Sequence, residues 1–402
     1  MTNKVYLSCL LLLSIIFYNS CSKLTPKDPE DHEVLDGPID GLTHAEMRRF
    51  VAGDEAFEEF FTAEMGLGPL FITNSCESCH LGDGKGHPFG SFTRFGQSDT
   101  MGNRFLHLGG PQLQTRAIPG YEPETLPAGA PHSIFLPPIV VGLGYLQYVS
   151  DADIIAMSEE SKPFGIKGRP NWIDVPDYVN IPHPESGISK IKRGDGKYIG
   201  RFGLKASVFD LLQQTVTAYN QDMGITTRYF PYDASTGQKM DPEISNNKIH
   251  DVVFYLETLK APTPRNTETE MFKLGQTIFN EIGCENCHKS SLKTSFAPIE
   301  ALANKTFHPY TDLLIHDLGP ELDDGFTEGT ALTSEWRTAP LWGLGLAPES
   351  QGGRYFLMHD GRASTIDEAI QLHGGTASQV RQNYRNISSS DKKALIYFLE
   401  SL

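Results

Sequence analysis

Apolar positions fall into a helical period in several separated stretches of this chain, with little regular alternation between them. Met47, Phe50, Val51, Phe57, Phe60 and Phe61 recur at helical spacing behind a capping box, Thr43-His44-Ala45-Glu46. A break is expected near Gly53 or Asp54, and Gly66-Leu67-Gly68-Pro69 stops the pattern. Ser207 to Asn220, Glu270 to Phe279 and Thr365 to Leu372 also read as helices. Two further stretches form a matched pair. Ile244 to Leu259 ends Val253-Phe254-Tyr255-Leu256-Glu257-Thr258-Leu259, and the last helix ends Ile396-Tyr397-Phe398-Leu399-Glu400-Ser401-Leu402, each amphipathic with a capping Ser nearby. Between the two halves, Ala261-Pro262-Thr263-Pro264-Arg265-Asn266-Thr267 reads as a linker, because its prolines disfavour helix. The pattern predicts a mainly α chain with a boundary near residue 262. The first half also carries a long loop-rich insertion, 111–196, with a short strand or buried segment at Ile139 to Tyr145 and a helix capped at Ser150.

Each half carries the same chemistry. Cys76-Glu77-Ser78-Cys79-His80 returns as Cys284-Glu285-Asn286-Cys287-His288, and Phe71 stands as far before Cys76 as Phe279 before Cys284. In C-x-x-C-H the two thiols form thioethers with haem vinyl groups, and the adjacent His is placed on the iron. A zinc half-site or redox dithiol would need no following His, and a four-cysteine zinc site would want its pairs closer in sequence. Two covalently bound haem c groups are therefore expected, with His80 and His288 as proximal ligands. A helix, a turn and then this motif is how class c cytochrome domains begin. The expected architecture is thus two such domains, 42–261 and 262–402.

Composition narrows the partners. The 402-residue chain has ordinary apolar and charged fractions, 38 Gly and 26 Pro, and a formal charge of −16. That charge argues against a nucleic-acid partner, which would require clustered Lys and Arg, and suits a basic redox protein. Lys4 followed by an apolar run from Val5 to Phe17 reads as a secretion signal, too short for a membrane-spanning helix. Ser20-Cys21-Ser22 then resembles a lipoprotein processing site, giving a signal segment 1–20, lipidation at Cys21 and a tether 21–41. The alternative is ordinary cleavage nearby. The expected location is the cell envelope, lipid-anchored and facing the periplasm or the outer membrane.

Residues 66–402 resemble the bacterial di-haem oxidoreductases grouped with di-haem cytochrome c peroxidases and MauG-type enzymes, most closely a subfamily once labelled thiol oxidoreductases. The carrying residues are Gly68-Pro69-Leu70-Phe71 with the first C-x-x-C-H, Gly200 to Ala206, Asp222 to Thr226, Tyr310 to Gly319, Glu335 to Trp342, and His359-Asp360-Gly361-Arg362-Ala363 with His373-Gly374-Gly375. The resemblance implies an active-site haem in the first domain and an electron-transfer haem in the second. It leaves the substrate open. His373 stands where related peroxidases carry a Met and MauG-type enzymes a Tyr, and is the expected second ligand on the His288 iron; the plain alternative is a solvated His before a Gly-Gly turn. Over the first haem, relatives place a Gln and an acid. The candidates here are Gln213, Gln214 and Asp222, the Asp serving to move a proton on bound peroxide; the plain alternative for Asp222 is a helix-end cap. Arg201, Arg337 and Arg362 are candidate haem-propionate contacts, with Asp312 and His316 beside them. Trp342, like Trp336, is a candidate electron path or a core residue. His87, Met101 and His107 are surface or packing residues that could otherwise close the first iron. Calcium between the domains, as in relatives, remains a candidate cofactor. The expected function is a peroxidase-like oxidoreductase drawing on a small redox protein or other donor; the alternative is a non-catalytic di-haem electron carrier.

Overall fold

The computed structural model describes residues 35–177, 179 and 191–402. The expected signal segment, Cys21 and most of the tether lie outside them. The described α-helices are α1 (His44–Glu58), α2 (Leu143–Gln147), α3 (Asp151–Glu159), α4 (Leu211–Met223), α5 (Asn246–Thr258), α6 (Glu270–Ile282), α7 (Ala347–Ser350), α8 (Ile366–Gln371), α9 (Ser378–Asn386) and α10 (Ser389–Ser401). Strands are short and pair antiparallel in twos: β1 (Leu70–Phe71) with β3 (Arg116–Ala117), β2 (Phe92–Phe95) with β4 (His132–Phe135), β5 (Asn171–Ile173) with β6 (Tyr198–Gly200), β7 (Leu292–Lys293) with β8 (Thr306–Phe307), and β9 (Ile315–Asp317) with β10 (Glu335–Arg337). Among the described residues no sheet exceeds two strands, so helix packing carries the fold.

The helix starts follow from local chemistry. Thr43 and Glu46 close the capping box of α1, Asp210 caps α4, Ser245 caps α5 and Ser388 caps α10. Each side-chain oxygen accepts a backbone N–H that the first turn leaves without a helical partner. Gly283, at φ 102°, ends α6 in the left-handed region and delivers the chain directly to Cys284.

Two helix crossings dominate the packing, α1 on α5 and α6 on α10. Each is centred on a glycine. A Cβ on Gly53 would fall 2.6 Å from Tyr255 Cβ and inside the Asp251 carbonyl; a Cβ on Gly275 would fall 2.6 Å from Phe398 Cβ and inside the Ala394 carbonyl. The expected break at Gly53 therefore does not occur. α1 runs straight through it, and the missing side chain serves close approach instead. The aromatic rings around each crossing repeat as well. Tyr255 lies 5.0 Å from Phe50 and 5.4 Å from Phe57, while Phe398 lies 5.1 Å from Phe272 and 5.4 Å from Phe279. Phe57, rather than Phe71, is thus the counterpart of Phe279. Phe71 sits in β1, because extra residues separate α1 from the first cysteine.

The buried core does not divide cleanly at the linker. The larger cluster, built around α1, α4 and α5, also takes in Ala297, Leu302, Leu313, Leu314 and Trp342 from beyond it, while the smaller one joins α6, α8 and α10. The described part of the 111–196 stretch packs against the second half of the chain. Its Lys162 pairs with Asp312 at 2.9 Å, Arg169 pairs with Glu335, and Glu160 pairs with Lys289 at 2.9 Å.

Gly275→Ala tests the crossing. Alanine would normally favour a helix interior by roughly 0.5–1 kcal/mol, but the clash with the Ala394 carbonyl outweighs this. A net loss of roughly 1–3 kcal/mol is expected in urea unfolding; a variant as stable as the parent would contradict the close approach.

Candidate functional site

A single cavity of about 900 Å³ is lined by both cysteine pairs, by His80 and His288, and by mainly apolar walls. The two loops that present these residues share one turn. Cys79 N and His80 N both reach Cys76 O at 3.1 Å, and Cys287 N and His288 N reach Cys284 O at 3.3 and 3.0 Å. All four cysteines are free thiols. Burial, with a smaller contribution from Asp222, pushes Cys76 up to about 12 and Cys79 to about 11; burial and the neighbouring Cys287 push Cys284 to about 12. Burial also holds His80 and His288 down at about 4. Both rings are therefore neutral at physiological pH, the form that binds a metal.

At the second loop, the geometry is that of two facing imidazoles. His288 Nδ1 donates to Tyr310 O at 2.9 Å, and His373 Nδ1 donates to Ala369 O at 2.7 Å. Each Nε2 is thereby left as the free lone pair. The ring centroids are 6.4 Å apart. Two metal–imidazole bonds of about 2 Å plus the two half-widths of the rings add to about 6 Å, so one metal fits between them. His373 reaches this place because α8, capped by Thr365, ends just before it and His373 N closes on Ile370 O.

Beside the first loop the cavity wall is polar rather than imidazole-bearing. Asp222 lies in the last turn of α4, not beyond it, and burial raises its carboxyl to about 6 against the opposing effects of Gln112 and Arg94. Gln112 Nε2 donates to Asp222 Oδ1. Gln214 and Gln221 line the cavity on the same helix, and Gln213 lines it too while its side-chain oxygen accepts from Phe209 N at 3.0 Å. Arg94 Nη1 donates to Gln112 Oε1 at 3.2 Å and Gln221 Oε1 at 2.9 Å, and its Nε pairs with buried Glu328. Sequence reasoning missed Arg94, Gln112, Gln221 and Glu328, which come from four separate stretches of chain. A local signal existed only for Arg94: Phe92 and Arg94 alternate on one face of β2, and both reach the cavity.

The remaining expected site residues divide. Arg337 and Trp342 line the cavity, and the Trp342 indole N–H is buried with no acceptor among the described residues. Arg201 does not line it. Its fully buried guanidinium pairs with Asp151 and donates to Gln147 O and Val149 O, away from the cavity wall where a propionate would lie. Arg362 is likewise elsewhere, on Asp360 at 2.6 Å and on Glu321 O. Met101 is 81% exposed, and neither it nor His87 or His107 lines the cavity. Asp312 and His316 form a buried charge cluster with Lys162. His316 Nε2 lies 3.0 Å from Asp312, and His316 Nδ1 lies 3.6 Å from Cys287 Sγ.

These residues fit haem. Besides the thiols and the paired imidazoles, two half-buried cations line the cavity, and among the described residues neither has a carboxylate within 4 Å. Lys85 is lowered by burial to about 8 with only Met358 O at 3.4 Å, and Arg337 is lowered to about 10 with Gly203 O at 2.8 Å and Thr338 O at 3.4 Å. Cations held against a cavity wall in this way suit the propionates of such a group. For calcium there is no comparable fit. Among the described residues the one cluster of three candidate ligands is Cys287, Asp312 and His316, which offers a single carboxylate already held by Lys162, whereas calcium takes six or more oxygens.

The charge cluster yields a stability test. Burial opposes the charged form of Asp312, but His316 and Lys162 outweigh it and hold the carboxyl near 2; the same contact raises His316 to about 10. The stabilisation is therefore present above 3.8 and lost as pH falls through about 2. On the alkaline side it is full below 6.5 and lost as pH rises through about 10. Asp312→Asn should lower unfolding stability at neutral pH by roughly 3–5 kcal/mol, because it leaves buried cations unpaired; parent-like urea stability would show the cluster is not holding the fold.

Residues 135–402 match the family model described as "Di-haem oxidoreductase, putative peroxidase". The match takes in α4 with Asp222, the second cysteine loop and His373; the first loop lies ahead of it. No curated protein matches the chain. Among solved structures, a MauG-like protein associated with microbial copper homeostasis is similar at 14% identity, with 94% of this chain and 95% of that chain covered and a TM-score of 0.42. Hydrazine synthase of Kuenenia stuttgartiensis, in a xenon-pressurised crystal, is similar at 14% identity, covering 94% and 96%, with a TM-score of 0.35. With its family match spanning well over half the sequence, the chain belongs to the di-haem oxidoreductase family, and haem is the cofactor that membership implies.

Proposed function

We propose that this protein is a peroxidase-like enzyme of the cell envelope, with one haem c covalently attached at each C-x-x-C-H loop. In this reading His288 and His373 close the second iron for electron transfer, and His80 holds an iron left open for substrate. The two helix crossings then mark two class c cytochrome-like units, 42–261 and 262–402, that share one core. The observation carrying the reading is the asymmetry of the cavity. The His373 ring faces His288 at 6.4 Å, whereas no imidazole is paired with His80 in this way among the described residues. The wall beside the first loop instead presents Asp222, Gln112, Gln214 and Gln221.

Bound haem would supply the redox-active iron at which a peroxide is reduced. The chain's own task is proton handling. Asp222 accepts the proton of a hydroperoxide on its carboxylate and returns it to the departing oxygen, which leaves as water rather than hydroxide. A carboxyl near 6 suits both halves of that exchange at neutral pH. Gln112 orients the carboxylate by donating to Oδ1. Lys85 and Arg337 hold the propionates. Electrons come from a small redox protein, for which the charge of −16 favours a basic partner. The signal pattern before Cys21 supports anchoring to a membrane through a lipidated Cys21.

Replacing both cysteines of either loop with Ala should leave one covalent haem in denatured, haem-stained protein; an unchanged count would refute attachment at that loop.

Asp222→Asn should keep both haem spectra and slow peroxide turnover by roughly 10²–10⁴-fold. His373→Ala should open a second, ligand-accessible haem. Parent-rate turnover in the first variant, or an unchanged low-spin signal in the second, would overturn the division of roles.

A further inference from the structure

We infer that Arg94 is the positioning residue of the first site: by holding Gln112 and Gln221 in one orientation, it decides whether Asp222 is presented to substrate as a carboxylate. The inference rests on the acid/base role proposed for Asp222 and adds the element that governs it.

Arg94 is fixed on three sides. Its backbone is locked in the β2–β4 ladder and bridges to Gln112. Its Nε is paired with Glu328, whose side chain is 6% exposed. Its Nη1 donates to the carbonyl oxygens of both Gln112 and Gln221. An amide side chain has one accepting and one donating end. With its oxygen turned to Arg94, Gln112 must point its NH₂ the other way, and there it meets Asp222 Oδ1 and, at 3.1 Å, Gln221 O. Arginine suits this task because its planar fork serves several acceptors at once, which a lysine ammonium on a flexible stem does not. Without the cation only the Gln221 main-chain oxygen still favours this orientation of the amide. Gln112 can then turn its oxygen to Asp222 and accept a hydrogen bond from its carboxyl O–H, which favours the protonated acid.

Two effects of Arg94 thus act in the same direction. Its charge favours the carboxylate directly, and its hold on Gln112 supplies a donor to Oδ1. Burial acts against both. The other groups facing Asp222 belong to neighbouring elements. Cys76 and Cys79 of the first loop feel its charge, Arg116 of β3 acts on Cys79, and the Ile72 and Thr73 N–H groups reach only the Asp222 main-chain oxygen. Thioether formation would remove the two thiols from titration. Arg94 then remains as the one cation among the described residues that shapes the proton affinity of Asp222.

The test uses the holoprotein and two readouts across pH. One is the infrared carboxyl band identified by its absence in Asp222→Asn; the other is peroxide turnover. Arg94→Met should shift the titration midpoint alkaline by about one unit, lower turnover at pH 7 about twofold, and restore it at higher pH. Arg94→Lys should restore part of the shift. Glu328→Gln keeps Arg94 and removes its counter-charge, so it should move the midpoint to lower pH; this variant decides the matter if Arg94→Met does not fold. A midpoint equal to the parent's in Arg94→Met, or in Glu328→Gln, would overturn the inference. If Asp222→Asn itself keeps the parent turnover, the acid/base reading fails instead, so the two failures are distinguishable.

Discussion

The close approach of two helix pairs at Gly53 and Gly275 is the constraint on which the rest depends. Because neither glycine has a Cβ, Tyr255 and Phe398 can sink between the phenylalanines of the opposing helix, at nearly equal distances in the two halves. Those aromatic groups form the wall behind each cysteine loop, with Phe57 6.2 Å from His80 and Phe279 6.5 Å from His288. Packing thereby sets where each imidazole stands, and burial keeps it neutral. The repeat is thus a repeat of packing first and of chemistry second.

On this common frame the halves diverge through what faces the imidazoles. The second half sends in His373 from the end of α8, a short helix whose cap and last turn fix the ring. The first half sends in α4, with an acid, and β2, with an arginine. The 111–196 stretch ties the two together. It supplies Gln112 to the first site and Lys162 to the buried cluster that touches Cys287, so a single excursion of chain reaches both ends of the cavity.

How much of this was legible in the sequence depended on range. The cysteine loops, the caps at Thr43, Ser245 and Ser388, and the paired closing helices are local patterns, and the structure has them. Gly53 reads as a break in the sequence and is none in the structure, because a glycine in a helix pattern looks the same whether it weakens the helix or admits a neighbour. Counting back from the cysteine pairs Phe71 with Phe279, and such counting fails when residues are added between helix and loop. Arg201 looked available for a propionate, but its partner Asp151 lies fifty positions away. Arg94, Gln112, Gln221 and Glu328 are unremarkable one by one, and only folding makes them a network.

The central claim is that the two irons are unlike, one closed by paired histidines and one open beside an acid. The magnetic and optical spectrum of the oxidised holoprotein, with and without cyanide, tests this most directly. One high-spin haem that turns low-spin on cyanide addition, beside one low-spin haem that does not respond, is the predicted result. Two low-spin haems indifferent to cyanide would contradict the account and leave an electron carrier in place of an enzyme.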